Sequence, residues 1–76
     1  MKMVYDGEKL SKQIRTKRLI TLEMNIRDAA KEMGISAATL SRIENKRPPD
    51  IDTFATLCNW VEQPMELFFK LQKNKK

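Results

Sequence analysis

Residues Ile26 to Asn45 read IRDAAKEMGISAATLSRIEN, and few chain geometries satisfy that pattern. Two short runs with apolar residues at helical spacing meet across a single glycine. Asn25 opens the first run as an N-cap, and Asp28, three residues on, gives a capping-box-like arrangement that also suits the helix dipole. Ala29, Ala30 and Met33 form its apolar face. Gly34 stops it, in the left-handed position just past a helix end. Ser36 caps the second run, whose Leu40 and Ile43 point inward and which ends near Asn45. Two helices joined by so tight a turn cross steeply. The crossing needs a small residue, Ala30, a turn glycine, Gly34, and apolar filling from Ala29, Met33, Ile35, Leu40 and Ile43.

The rest of the chain is also helical in period. A first helix is expected from about Gly7 to Leu19 or a little beyond, with Leu10, Ile14 and Arg18 on one stripe. Its end is left open, because ITLEM holds no glycine or proline. After Pro48 and Pro49, Asp50 caps a fourth helix with Ile51, Phe54, Leu57, Cys58 and Val61 on one face. A fifth begins near Pro64 and carries Met65, Leu67, Phe68, Phe69 and Leu71. No alternating strand pattern is visible. The expected fold is all-α, a five-helix bundle over residues 7–71, with an N-terminal arm at 1–6 and a basic, disordered tail at 72–76.

Composition narrows the function. The chain has no histidine and a single cysteine, Cys58, so it lacks the commonest metal ligand and general base and cannot form an internal disulfide. Cys58 reads as a small core residue. There is no phosphate-cradling glycine loop and no metal-ligand cluster, so no catalytic residue, metal or cofactor is assigned and an enzyme is the poorest reading. No apolar run is long enough for a membrane span and no signal-peptide core is present, so a cytoplasmic setting is expected.

The net charge of +5 is unevenly placed. Pro48 to Phe69 contains no lysine or arginine but four acids, Asp50, Asp52, Glu62 and Glu66. Met1 to Leu22 carries Lys2, Lys9, Lys12, Arg15, Lys17 and Arg18, and Lys70, Lys73, Lys75 and Lys76 crowd the end. One part of the molecule suits a polyanion. Charge alone fits a solvated basic face equally well.

With GEKL, IRTKR, NIRDAAKEMGISAATLSRIENKRPPDIDTFATLC and MELFF, the chain resembles the phage-repressor/Cro-type helix-turn-helix regulators, the XRE family, over roughly Gly7 to Phe69. GISAATLSRIEN followed by a basic, proline-containing loop is the most specific part. The resemblance implies double-stranded DNA as partner, with the third helix in the major groove. Ala37, Ala38, Ser41 and Arg42 would then face base edges. Arg42 can contact guanine O6 and N7 together, whereas the two alanines can read only a thymine methyl. Phosphates would be held at the helix starts Asn25 and Ser36 and by Arg27, Lys46 and Arg47, with Arg15 and Lys12 as additions. Thr39 can donate to a phosphate or close the cap.

Arg18 and Glu44 resemble a structural pair of the family. The family's last helix often forms a symmetric contact, which makes Phe68 and Phe69, with Trp60, candidates for a homodimer interface on a near-palindromic operator. Trp60 also reads as ordinary packing. Three departures stand out. Ile26 occupies a place where the family has glutamine. Residues 19–25 run one residue longer than usual. Lys46 and Glu62 stand where glycine is common, and positive φ there would strain them. The leading reading is a repressor or other transcriptional regulator. The alternative is an antitoxin-like protein-interaction module, with a toxin or anti-repressor as partner and DNA binding secondary.

Overall fold

The computed structural model describes residues 2–72. Its elements in chain order are β1 (Lys2–Tyr5), α1 (Gly7–Thr16), a π turn (Lys17–Thr21), α2 (Ile26–Met33), α3 (Ala37–Glu44), α4 (Ile51–Val61), a 3-10 turn (Met65–Phe68) and β2 (Phe69–Gln72). Each α-helix starts at a polar cap. Asp6, Asn25, Ser36 and Asp50 accept from the backbone N–H of Lys9, Asp28, Thr39 and Thr53. That satisfies one of the free donors at each helix start. Hydrogen bonding from Thr53 also holds the Asp50 carboxyl below its ordinary range.

The core is one cluster. Leu10 and Ile14 of α1, Ala29, Ala30 and Met33 of α2, Leu40 and Ile43 of α3, and Phe54, Leu57, Cys58 and Val61 of α4 surround Phe68. Burial pushes the Cys58 thiol up, as for a packed and unreactive side chain. Ile51 does not join the α4 stripe. It lies in the first turn and is 68% exposed.

Two sequence expectations are corrected. The described residues hold four α-helices and a two-stranded antiparallel ribbon rather than an all-α five-helix bundle. The fifth helix is one 3-10 turn, after which Phe69 turns extended at φ −125° and ψ 150°. β2 then pairs with β1 in the register Lys2↔Gln72, Met3↔Leu71, Val4↔Lys70, Tyr5↔Phe69. The ribbon absorbs most of the expected arm 1–6 and the first residue of the expected tail 72–76; residues 73–76 lie outside the described residues. The second correction concerns Phe68. It is wholly buried in the core and cannot serve as a surface contact.

The chain after α1 winds as the π turn, with Leu22 N–H donating to the Lys17 carbonyl at 2.9 Å, five residues back. Within that turn Arg18 faces inward and meets Glu44 through two bonds, Nε–Oε2 at 2.8 Å and Nη2–Oε1 at 2.9 Å, with both side chains under a tenth exposed. Arg18 Nη1 also donates to the Met24 carbonyl, Met24 N–H donates to the Arg18 carbonyl, and Ser11 Oγ donates to the Glu44 carbonyl. Nearby, Lys17 Nζ bonds the Trp60 carbonyl and lies 4.9 Å from its ring centroid.

Two predictions follow from the interior. Glu44→Ala strands a buried guanidinium and should cost about 3–5 kcal/mol, whereas Arg18→Met with Glu44→Leu should recover most of it in urea unfolding. Equal losses in both variants would deny the pair its buried character. Tyr5 is the protein's one tyrosine; its hydroxyl is buried with no partner, and desolvation, helped by Cys58 and Asp6, pushes its pKa up to about 12. The folded state favours the neutral phenol. Its contribution is therefore full below about pH 10 and is lost as pH rises through about 12. Phenolate absorbance should rise near pH 12 in folded protein and near pH 10 in urea. A folded midpoint at 10 would put the hydroxyl in water.

Candidate nucleic-acid interface

The crossing of α2 and α3 is built as their residue types require. Ala29 and Ala30 are buried, and the turn glycine, Gly34, sits at φ 82°. Gly34 N–H donates to the Lys31 carbonyl and Ile35 N–H to the Ala30 carbonyl, the paired bonds that close a helix through a left-handed residue. This turn leaves α3 with Leu40, Ile43 and Glu44 inside and Ala37, Ala38 and Arg42 in solvent, with Ser41 and Thr39 half-buried.

The basic and polar candidates line three separate hollows. Asn25, Arg27 and Ala37 share one with Ile26 at the facing starts of α2 and α3. Thr39, Arg42 and Arg47 line a second with Pro48, Asp50 and Thr53. Lys12, Arg15 and Lys46 line a third. Ile26 is partly buried against the core, so at the glutamine position this chain offers packing rather than a hydrogen bond. The cap oxygens are occupied. Asn25 Oδ1 accepts from Asp28 N–H at 2.7 Å and Ser36 Oγ from Thr39 N–H at 3.0 Å. What remains at those helix starts for an anion is backbone N–H.

Thr39 closes the cap and also touches Arg42. Its Oγ1 accepts from Ser36 Oγ at 2.8 Å and from Arg42 Nη2 at 3.5 Å, which leaves its own proton to donate. Of the first-helix bases, Lys17 is drawn off to Trp60 and Glu62, and Arg18 is buried. Sequence reasoning passed over Gly7. A Cβ there would lie 2.9 Å from the Lys46 carbonyl, so glycine lets α1 approach the basic loop closely. Its place one residue after the cap Asp6 was the available signal.

Lys46 and Glu62 both adopt positive φ, 72° and 60°. Each closes its helix as Gly34 does. Lys46 N–H bonds the Ile43 carbonyl and Arg47 N–H the Arg42 carbonyl, while Glu62 N–H bonds the Asn59 carbonyl and Gln63 N–H the Cys58 carbonyl. A side chain there costs about 1–2 kcal/mol. At Lys46 the strained residue is one of the bases facing outward beside α3.

A small helical unit with a tight glycine turn and a solvent-exposed second helix that carries an arginine is the architecture of a DNA-binding domain. A family model described as helix-turn-helix matches residues 12–59. The chain therefore belongs to the phage-repressor/Cro-type helix-turn-helix family of DNA-binding transcription regulators. No curated protein and no solved structure matches it. Among the described residues no helix is long and apolar enough to cross a membrane, and no cluster of acids and cysteine could hold a metal ion.

Strain and charge can be separated at these caps. Lys46→Gly and Glu62→Gly should each raise stability by about 1 kcal/mol in thermal or urea unfolding. Lys46→Gly should also weaken binding to duplex DNA and lower the salt slope by about one unit, whereas Glu62→Gly leaves the slope alone. An unchanged slope in Lys46→Gly would remove that loop from the interface.

Proposed function

We propose that this protein is a sequence-specific repressor that reads the major groove with α3. The observation that carries the reading is the presentation of α3. Its inner side is fixed by Leu40, Ile43 and the Glu44 ion pair, while Ala37, Ala38 and Arg42 stand in solvent at its outer side. Arg42 supplies direct readout, because its fork can bond guanine O6 and N7, worth about 1–3 kcal/mol against a wrong base. Ala37 and Ala38 accept only apolar features such as a thymine methyl, and Ser41 bonds either a donor or an acceptor. Backbone N–H groups at the starts of α2 and α3, with Arg27, Lys46, Arg47, Lys12, Arg15 and the free Thr39 hydroxyl proton, hold phosphates and fix register.

Two copies would place two α3 helices in successive major grooves, about 34–36 Å apart, on a near-palindromic operator. Bound across a promoter, such a dimer blocks transcription.

Selection from a random duplex pool tests the reading. Wild type should enrich an inverted repeat with half-sites about one helical turn apart. Arg42→Ala, folded by circular dichroism, should lose preference at one base pair of each half-site. The same motif from both proteins would show that Arg42 is not the reading residue. Binding without enrichment would leave only an electrostatic footprint and point instead to a protein partner.

A further inference from the structure

We infer that Thr39 is the positioning residue for Arg42: its hydroxyl restrains the guanidinium on the outer side of α3 in the free protein, and so sharpens discrimination at the base pair Arg42 meets. This rests on the base reading proposed above and adds to it a residue that governs specificity without touching a base.

Arg42 stands in solvent on a long side chain with many rotamers. On a helix its neighbours one turn back are Ala38 and Thr39. The alanine offers no hydrogen-bond partner, which leaves Thr39. Arg42 Nη2 donates to Thr39 Oγ1 at 3.5 Å. A bond of that length holds little if its acceptor is free to move. Here the acceptor is fixed. Thr39 is β-branched, which restricts its first torsion, and its Oγ1 accepts from Ser36 Oγ at 2.8 Å. Ser36 Oγ in turn accepts from Thr39 N–H at 3.0 Å, in the cap of α3. A hydroxyl has one proton and two lone pairs. Ser36 gives its proton to Thr39, and Ser36 and Arg42 fill both lone pairs of Thr39. The oxygen that faces Arg42 is therefore anchored through the cap to the backbone of α3 itself.

The surroundings leave the arginine to this hydroxyl. Thr39, Arg42, Arg47, Asp50 and Thr53 line one hollow of about 410 Å³. The acid in it, Asp50, is committed to the cap of α4, where Oδ1 accepts from Thr53 N–H at 2.9 Å. The ion pairs among the described residues join Arg18 to Glu44 and Lys17 to Glu62, and neither takes Arg42. A neutral acceptor suits a reader better than a carboxylate would. It biases the fork, leaves the charge unneutralised, and occupies one of five N–H donors, where guanine O6 and N7 need two. A carboxylate pair is stronger and would have to be broken at each binding event. Ordering a side chain beforehand lowers the cost of binding. That gain is realised only where Arg42 finds its base edge, so it appears as specificity.

Thr39→Val tests the inference, because it keeps the branched shape and the N–H that Ser36 caps while removing the acceptor. Thr39→Ser keeps the acceptor. In DNA-free protein, the order parameter of the Arg42 Nε–H bond from 15N relaxation should fall in Thr39→Val and hold in Thr39→Ser. Circular dichroism should be unchanged in both. Binding is then compared between the selected operator and one altered at the base pair whose preference Arg42→Ala abolishes. The affinity ratio should fall about threefold to tenfold in Thr39→Val, the effect of one modest hydrogen bond, and stay at the wild-type value in Thr39→Ser. Equal order in wild type and Thr39→Val would overturn the inference. So would an unchanged ratio, or a loss of affinity equal for all sequences, which is what a phosphate contact alone gives. If wild type selects no sequence while Thr39→Val still frees Arg42, the base reading is what fails and the restraint on Arg42 stands.

Discussion

Arg18 and Glu44 meet in the interior as a doubly bonded ion pair, and the geometry of the DNA-facing unit hangs on them. Desolvating two charges costs several kcal/mol each, and a well-packed apolar pair would often be as stable. What the pair adds is direction. A planar fork bonding a carboxylate through two parallel contacts fixes the end of α3 against the turn that precedes α2. Ser11 holds the Glu44 carbonyl and Arg18 holds the Met24 carbonyl, so α1, the connection and α3 share one network. The π turn that carries Arg18 turns the guanidinium inward to its partner.

The same unit places strain at the end of its exposed helix. Three helices end through a left-handed residue, yet only α2 uses glycine for it. At the end of α3 the position is held by Lys46, whose charge stands over the basic loop. Strain of this kind persists where the surrounding bonds over-determine it. Here Lys46 and Arg47 donate to the last carbonyls of α3, Gly7 lets α1 approach the Lys46 carbonyl, and Tyr5 lines one hollow with the two prolines. The basic loop is thus held by the end of α3 and by the start of α1.

That bracing comes from the part least visible in the sequence. Helices announce themselves through caps and a local repeat, and Asn25, Ser36 and Asp50 act at the expected places. The segment after Pro64 carries neither signal. Phe68, Phe69 and Leu71 are apolar on too many sides to fix a period, and four residues of strand are too few to show alternation. Ile51 fitted the α4 stripe by spacing, yet it sits in the first turn, above the level of the core.

The sequence by itself determined the helical unit from Asn25 to Asn45, its capped starts, its glycine turn, the pairing of Arg18 with Glu44 and the family to which these belong. The caps and the turn rest on interactions within a few residues; the ion pair was legible only through the resemblance to the family. Tertiary structure decided that residues 2–5 and 69–72 pair as a ribbon, that Phe68 completes the core while Phe69 borders the surface, and that Lys17 is spent on Trp60. The ribbon and the Lys17–Trp60 contact join segments more than forty residues apart, and Phe68 and Phe69 meet Phe54 across a turn from another element. No local period encodes such a contact, and only the closed core brings its partners within reach.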